Sequence, residues 1–210
     1  MAKAPTEPSK TGIDTDVANE IRRAHLGSWA FVHRRLMFRF QPDPAAPIRC
    51  GLALGAGLEA QIVLGLTNGT VTVGPAQYQS WGKPFPAVVA AARANTVTQP
   101  IHRLTTTVLD GPDQGSRIDL LIGGPCISGL VVDLHRVVDP FGTAEPLVVV
   151  GSDQVIIVGQ FAPAVGAEGR QTLALRLASL AAEAERGDVI PVVFRFPEPG
   201  RLAMFRTEDR

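Results

Sequence analysis

Cysteine is scarce in this chain. Only Cys50 and Cys126 are present, with no Cys-x-x-Cys pair, which excludes a disulfide framework and a four-thiolate zinc site. The histidines, His25, His33, His102 and His135, lie too far apart for a short metal-ligand motif. No metal and no cofactor is expected. Lysine is almost missing: Lys3, Lys10 and Lys83 stand among 20 basic residues, the rest arginine. That bias, with abundant Ala, Gly, Pro and Val, suggests a GC-rich bacterial coding sequence. Net charge is lacking as well, with 20 basic against 20 acidic residues. Bulk attraction to nucleic acid or to an anionic membrane therefore has no basis, and neither is expected as a partner. No apolar run reaches membrane-spanning length. The opening Met1 to Lys10 is polar and holds prolines, so it does not read as a signal peptide. A cytoplasmic protein is the expectation.

What is present is apolar surface. Hydrophobic residues make up 45% of 210 residues, enough for a well-packed core. Residues 1–13 read as a disordered leader, and Asp14 or Asp16 can cap a helix that ends at Gly27. Trp29 to Phe40 fits both periods. Its second half alternates as Leu36, Phe38, Phe40 and reads best as a strand. Ile48–Leu54, Ala60–Leu66 and Thr70–Val73 read as strands, with a hairpin signal at Asn68-Gly69. Gly74-Pro75 opens a helical region, and Pro84 starts a second helix through Asn95. Ile101–Leu109 and Arg117–Ile122 form a hairpin. Ile127, Leu130, Val131, Leu134, Val137 and Val138 make one face of an amphipathic helix. Leu147–Val150 and Val155–Val158 form another hairpin. Arg170–Arg186 is a helix whose stripe is Leu173, Leu177, Leu180 and Ala184. Val192–Phe196 and Arg201–Arg206 close the chain. The expected fold class is α+β: antiparallel hairpins interspersed with three to four helices in a single main domain. Its parts are the leader 1–13, an N-terminal helix and extension 14–47, and an α+β domain 48–210.

Some stretches carry a family likeness. Tyr78-Gln79-Ser80-Trp81-Gly82 precedes a helix ending Ala91-Ala92-Arg93-Ala94-Asn95. Ser116–Ile122, the helix after Gly124, the Val148–Val158 hairpin and Val192–Phe196 follow in order. From Val71 to about Arg206 this order resembles the YtpQ-like family of bacterial proteins. The family has no established activity, so the resemblance implies a fold and supplies no catalytic residues.

The most informative segment is Ser116–Gly129, a strand running into Gly123-Gly124-Pro125 and then a helix start. Gly123 and Gly124 can form an anion nest. The Gly-Lys-Ser/Thr ending of a phosphate loop is missing and the dinucleotide glycine spacing is wrong. Cys126 at a helix start has the pattern of an activated nucleophile, yet His135 falls on the opposite helix face, so a base must come from elsewhere, with His102 the candidate. The bland reading is a buried structural cysteine beside a plain turn. Trp29, Phe31, Arg34, Arg35 and Phe38 interleave aromatics with positive charge. That composition suits a protein or self-association surface, or else completion of the chain's own core. Tyr78 and Trp81, three apart, read as core anchors. Acid, base and nucleophile candidates do not converge. The leading expectation is a non-catalytic accessory, adaptor or immunity-type protein whose partner is another protein or a second copy. The alternative is a small metal-free enzyme that acts on a small molecule through the Gly123–Gly129 turn with Cys126 or His102.

Overall fold

Alternation decides the first sheet. Leu36, Phe38 and Phe40 point one way along strand β1 (Leu36–Gln41), and all are buried. A one-turn helix α1 (Trp29–Val32) precedes it, so the ambiguous stretch is helix and then strand. The structure is a computed structural model describing residues 25–41, 50–55, 58–66, 69–139, 145–185, 192–198 and 201–205. The expected leader, the helix begun at Asp14 or Asp16 and the side chain of Ala184 lie outside these residues. Strands β2 (Gly51–Gly55), β3 (Leu58–Leu66) and β4 (Gly69–Thr72) complete an antiparallel sheet. β3 is central, with β1 on one side and β2 and β4 along the other.

Pro75 opens α2 (Pro75–Ser80), and Pro84 precedes α3 (Phe85–Val97), as proline does at first helical turns. Val88, Ala92 and Thr96 form the buried stripe of α3 at four-residue spacing. The second sheet holds β5 (Ile101–Thr107), β6 (Arg117–Gly123), β7 (Leu147–Ser152), β8 (Val155–Gln160), β9 (Val193–Glu198) and β10 (Arg201–Met204). Its order is β10-β9-β7-β8-β6-β5, every pair antiparallel. The result is a mixed α+β architecture with antiparallel sheets, as the sequence pattern indicates.

The segment after Gly124 departs from expectation. It forms two 3₁₀ pieces, Ile127–Val132 and Leu134–Arg136, and no α-helix. The i, i+3 apolar spacing misled because it serves a three-residue turn as well as a 3.6-residue one. Every residue of Ile127–Val132 is buried, so there is no polar face to present. Gly129 lies under β1: a Cβ there would collide with the Phe38 carbonyl oxygen.

The second sheet is covered on both faces. Its inner face supplies Leu121, Val148, Ile156, Val158 and Phe194 to one core, shared with the first sheet, α3 and the 3₁₀ segment. Phe40 and Phe194 meet there with ring centroids 5.9 Å apart. The outer face, with Leu147, Val149 and Ile157, lies under α4 (Ala167–Glu185). Leu173, Ala174, Leu177 and Ala181 form the buried stripe of α4. Leu180, expected in that stripe, is 37% exposed. The stripe advances by four from Leu173, and Ala181 takes the inward position. Gly159 of β8 makes the close approach possible, since a Cβ there would sit 2.7 Å from Leu177 Cδ1. Among the described residues no helix is long and apolar enough to cross a membrane.

Candidate functional site

The Gly123–Gly129 junction is a structural joint. A Cβ on Gly123 would press on Ile127 Cδ1 at 2.5 Å and on the Pro100 carbonyl oxygen at 2.8 Å. Cys126 then takes a left-handed backbone, φ 75°, which reverses the chain from β6 into the 3₁₀ segment. Several donors of the junction are spent within the protein, Gly123 of the expected nest among them. Gly123 N–H donates to the Gln154 carbonyl, Ile127 N–H to that of Gly124, Ser128 N–H to that of Asp153 and Gly129 N–H to that of Cys126. The Gly123 N–H is thus not available to an anion, and the Gly124 N–H alone makes no nest.

Cys126 itself is fully buried. Burial, reinforced by the negative charge of Asp153 and only partly offset by Arg39, pushes its thiol up to about 12. A helix-start cysteine with a lowered pKa is therefore not what forms here. His102 is exposed on β5, opposite Ile122 of β6. Arg103, from the same strand, turns to Asp119. Cys126 and His102 share no contact that makes a catalytic pair. Around Cys126 the chain builds a polar lock instead. Ser128 Oγ donates to Asp153 Oδ1 at 3.0 Å and accepts from Phe40 N–H at 3.1 Å. Arg39 pairs with Asp153 at 2.8 Å.

The aromatic and arginine residues of the N-terminal segment separate by role. Phe38 is fully buried and belongs to the core, so it is not a contact for a partner. Trp29 is half-buried, 6.1 Å from the Trp81 ring. Trp81 donates its indole N–H to the Leu26 carbonyl at 2.7 Å, and Tyr78 meets it edge-on at 6.5 Å. Tyr78 and Trp81 thus act as anchors. Phe31 is half-buried and carries the Arg35 guanidinium 4.4 Å above its ring.

Arg34 and Arg35 remain exposed. They border a cleft of about 330 Å³ with Met37 and Gly65 of the sheet and Asn95, Thr98 and Gln99 at the end of α3. Asn95 sets this geometry. Its side-chain N–H₂ donates to the carbonyls of His33 at 2.8 Å and Leu36 at 2.9 Å, which fixes the turn that carries both arginines. Seven other arginines (Arg39, Arg93, Arg103, Arg117, Arg176, Arg195 and Arg201) each meet a carboxylate. Among the described residues Arg34, Arg35, Arg136 and Arg170 meet none, and of these only Arg34 and Arg35 are adjacent in sequence and line the cleft. The last turn of α3 lines the same cleft, and its carbonyl end complements positive charge by about 0.3–1 kcal/mol. Two full charges exceed that partial one. The Gly123–Gly124 turn neighbours the cleft, since a Cβ on Gly124 would lie 4.0 Å from Gln99 Oε1.

Two buried carboxylates escaped the sequence reading. Asp119 is fully buried and accepts from Arg103 Nε at 3.0 Å, Thr105 Oγ1 at 2.6 Å, Arg117 Nε at 3.1 Å and Gln160 Nε2 at 3.3 Å. Burial alone pushes its pKa up. The bonds from Arg103 and Thr105, with the charges of Arg103 and Arg117, outweigh that and hold it below the usual carboxylate value. Asp113, also fully buried, pairs with Arg176 at 3.0 Å and ties the β5–β6 loop to α4. The available signal was the run Arg117-Ile118-Asp119, polar residues on the same side of β6 as apolar Leu121. Among the described residues no His, Cys, Asp and Glu cluster could hold a metal ion.

No protein family, curated protein or solved structure matches this chain.

Proposed function

We propose that this protein is a non-catalytic binding module that takes an acidic segment of a protein partner at the Arg34–Arg35 cleft. The observation that carries this reading is a pair of exposed arginines, consecutive in sequence and lining one cleft, without a carboxylate among the described residues, where seven other arginines have one and the two further ones without, Arg136 and Arg170, stand singly. Arginine recognises carboxylates through planar paired donors. Phe31 supports Arg35 from behind and Asn95 fixes the turn, so part of the ordering cost of binding is met before the partner arrives. A neutral overall charge favours such local recognition over bulk attraction to a polyanion. The YtpQ-like likeness, resting on the residues quoted above, is part of the same proposal and adds no activity to it.

The test is fluorescence anisotropy with a labelled hexaglutamate peptide and its hexaglutamine counterpart. Saturable binding of the first alone is expected, with a loss of about tenfold or more in the Arg34→Ala/Arg35→Ala double variant and an unchanged melting temperature. Equal binding of both peptides, or a folded double variant that binds as before, would overturn the reading.

A further inference from the structure

Strand edges carry unpaired N–H and C=O groups and are usually blunted or covered. In this fold two edges are closed. Along β1, Phe38 N–H donates to Thr96 Oγ1 at 2.9 Å and Phe40 N–H to Ser128 Oγ at 3.1 Å. At β10 the backbone lies against β2, where a Cβ on Gly55 would be 2.7 Å from the Leu202 carbonyl oxygen.

β5, at the opposite end of the six-stranded sheet, has neither device. It pairs with β6 without a register shift and holds no proline, lysine or carboxylate. Val108 N–H donates to the Ser116 carbonyl at 2.9 Å, which sets the phase of the ladder. Even-numbered residues of β5 therefore bond to β6, and the backbone groups of Ile101, Arg103, Thr105 and Thr107 point outward. Among the described residues no hydrogen bond engages those outward groups. Leu104, opposite Leu120 and so on the α4 side, is 61% exposed.

We infer that β5 receives a second copy of this chain, the two strands pairing antiparallel about Leu104 so that the sheet continues across a two-fold axis. The strand runs from Ile101 to Thr107, and Leu104 is its midpoint. Centred there, the pairing is self-complementary along its whole length. Arg103 faces Thr105 of the second copy, His102 faces Thr106 and Ile101 faces Thr107. Odd residues meet odd residues, so each such pair exchanges both backbone hydrogen bonds. The Leu104 side chains meet at a close, non-hydrogen-bonded position and cover each other. Centring on Arg103 or His102 instead sets like groups against each other. Centring on Thr105 leaves Ile101 beyond the end of the partner strand. A closed two-fold pairing also removes the free edge from both copies, which an unrelated peptide would not do symmetrically. This inference does not depend on the arginine cleft.

The test uses the full chain. Sedimentation velocity at micromolar concentration is expected to show a dimer. Thr107→Pro removes an outward N–H and leaves the ladder to β6 intact. It should weaken association by about tenfold or more without changing the circular dichroism spectrum. Leu104→Cys should cross-link to a covalent dimer under mild oxidation, far faster than Val71→Cys, an exposed control on β4. A monomeric wild type would overturn the inference. So would a folded Thr107→Pro variant that stays dimeric, or equal cross-linking at the two cysteine positions. If Thr107→Pro does not fold, the cross-linking rates alone decide.

Discussion

The six-stranded sheet is covered twice, by different means. Its outer face lies under one regular helix whose buried stripe is aliphatic: Leu173, Ala174, Leu177 and Ala181 against Leu147, Val149 and Ile157. Its inner face shares a core with a second sheet and a 3₁₀ segment, and that core is threaded by directional bonds. Thr96 and Ser128 accept from the β1 backbone, Asp153 holds both Ser128 and Arg39, and Gly129 accommodates the Phe38 carbonyl. Volume, the small position Gly159 and one ion pair at its margin, Arg176–Asp113, specify the outer layer, whereas the inner one is crossed by polar bonds to the β1 backbone and opens at Gly129 to admit it. Cores specified by volume tolerate repacking better than cores that enclose polar networks.

Truncations should expose that difference. Phe38→Ala on the inner side is expected to cost about 4 kcal/mol, and Leu177→Ala on the outer side about 3 kcal/mol, in urea denaturation. The two residues belong to separate clusters, so the double variant should equal the sum within about 0.5 kcal/mol. A larger loss at Leu177, or strong coupling between the faces, would break the distinction.

A smaller effect is expected at Asp119. Its carboxyl sits below the usual value, so its ionised form is favoured by folding. That contribution is complete above the unfolded pKa of about 3.9 and is lost as pH falls through the lower folded value. Asp119→Asn should lower stability at neutral pH by about 1.5–3 kcal/mol and flatten the decline in acid, as read from urea midpoints across pH. A variant with an unchanged acid profile would show that the carboxylate is not held by its donors.

The smallest effect concerns Cys126, where essentially no reaction is expected. The native protein should not release thiol signal from this site with Ellman's reagent at pH 8, and should do so in urea. Rapid native labelling would return the enzyme reading to the front.

The contrast between the two faces also explains what was legible in the sequence. The outer layer follows period and volume, and its strands and helix could be read, with Leu180 misplaced because only geometry decides between it and Ala181. The inner layer was harder. Ile127–Val132 carries a helical spacing but is buried all round, so only the β1 backbone passing over Gly129 reveals why it tightens to 3₁₀. Phe38, read as a possible contact for a partner, fills the core because β1 is a full member of the first sheet. Arg34 and Arg35 could be singled out from composition. Asn95, which fixes them, could not, because its acceptors are backbone carbonyls around sixty residues away in sequence. Asp119 and Asp113 were missed for the same reason: apart from Arg117 on the same strand, their partners come from other strands or from α4.

The closure of β1 has a consequence for biosynthesis. Residues 36–41 leave the ribosome before any of the groups that seal their edge. Thr96 lies 58 residues beyond Phe38, and Ser128 lies 88 beyond Phe40. Translation delivers chain from the N-terminus and domains assemble as it emerges. A nascent polypeptide ending short of Ser128 therefore exposes the Phe40 N–H on an open strand rich in phenylalanine. During that interval the sequence is at its most vulnerable to pairing with the wrong neighbour.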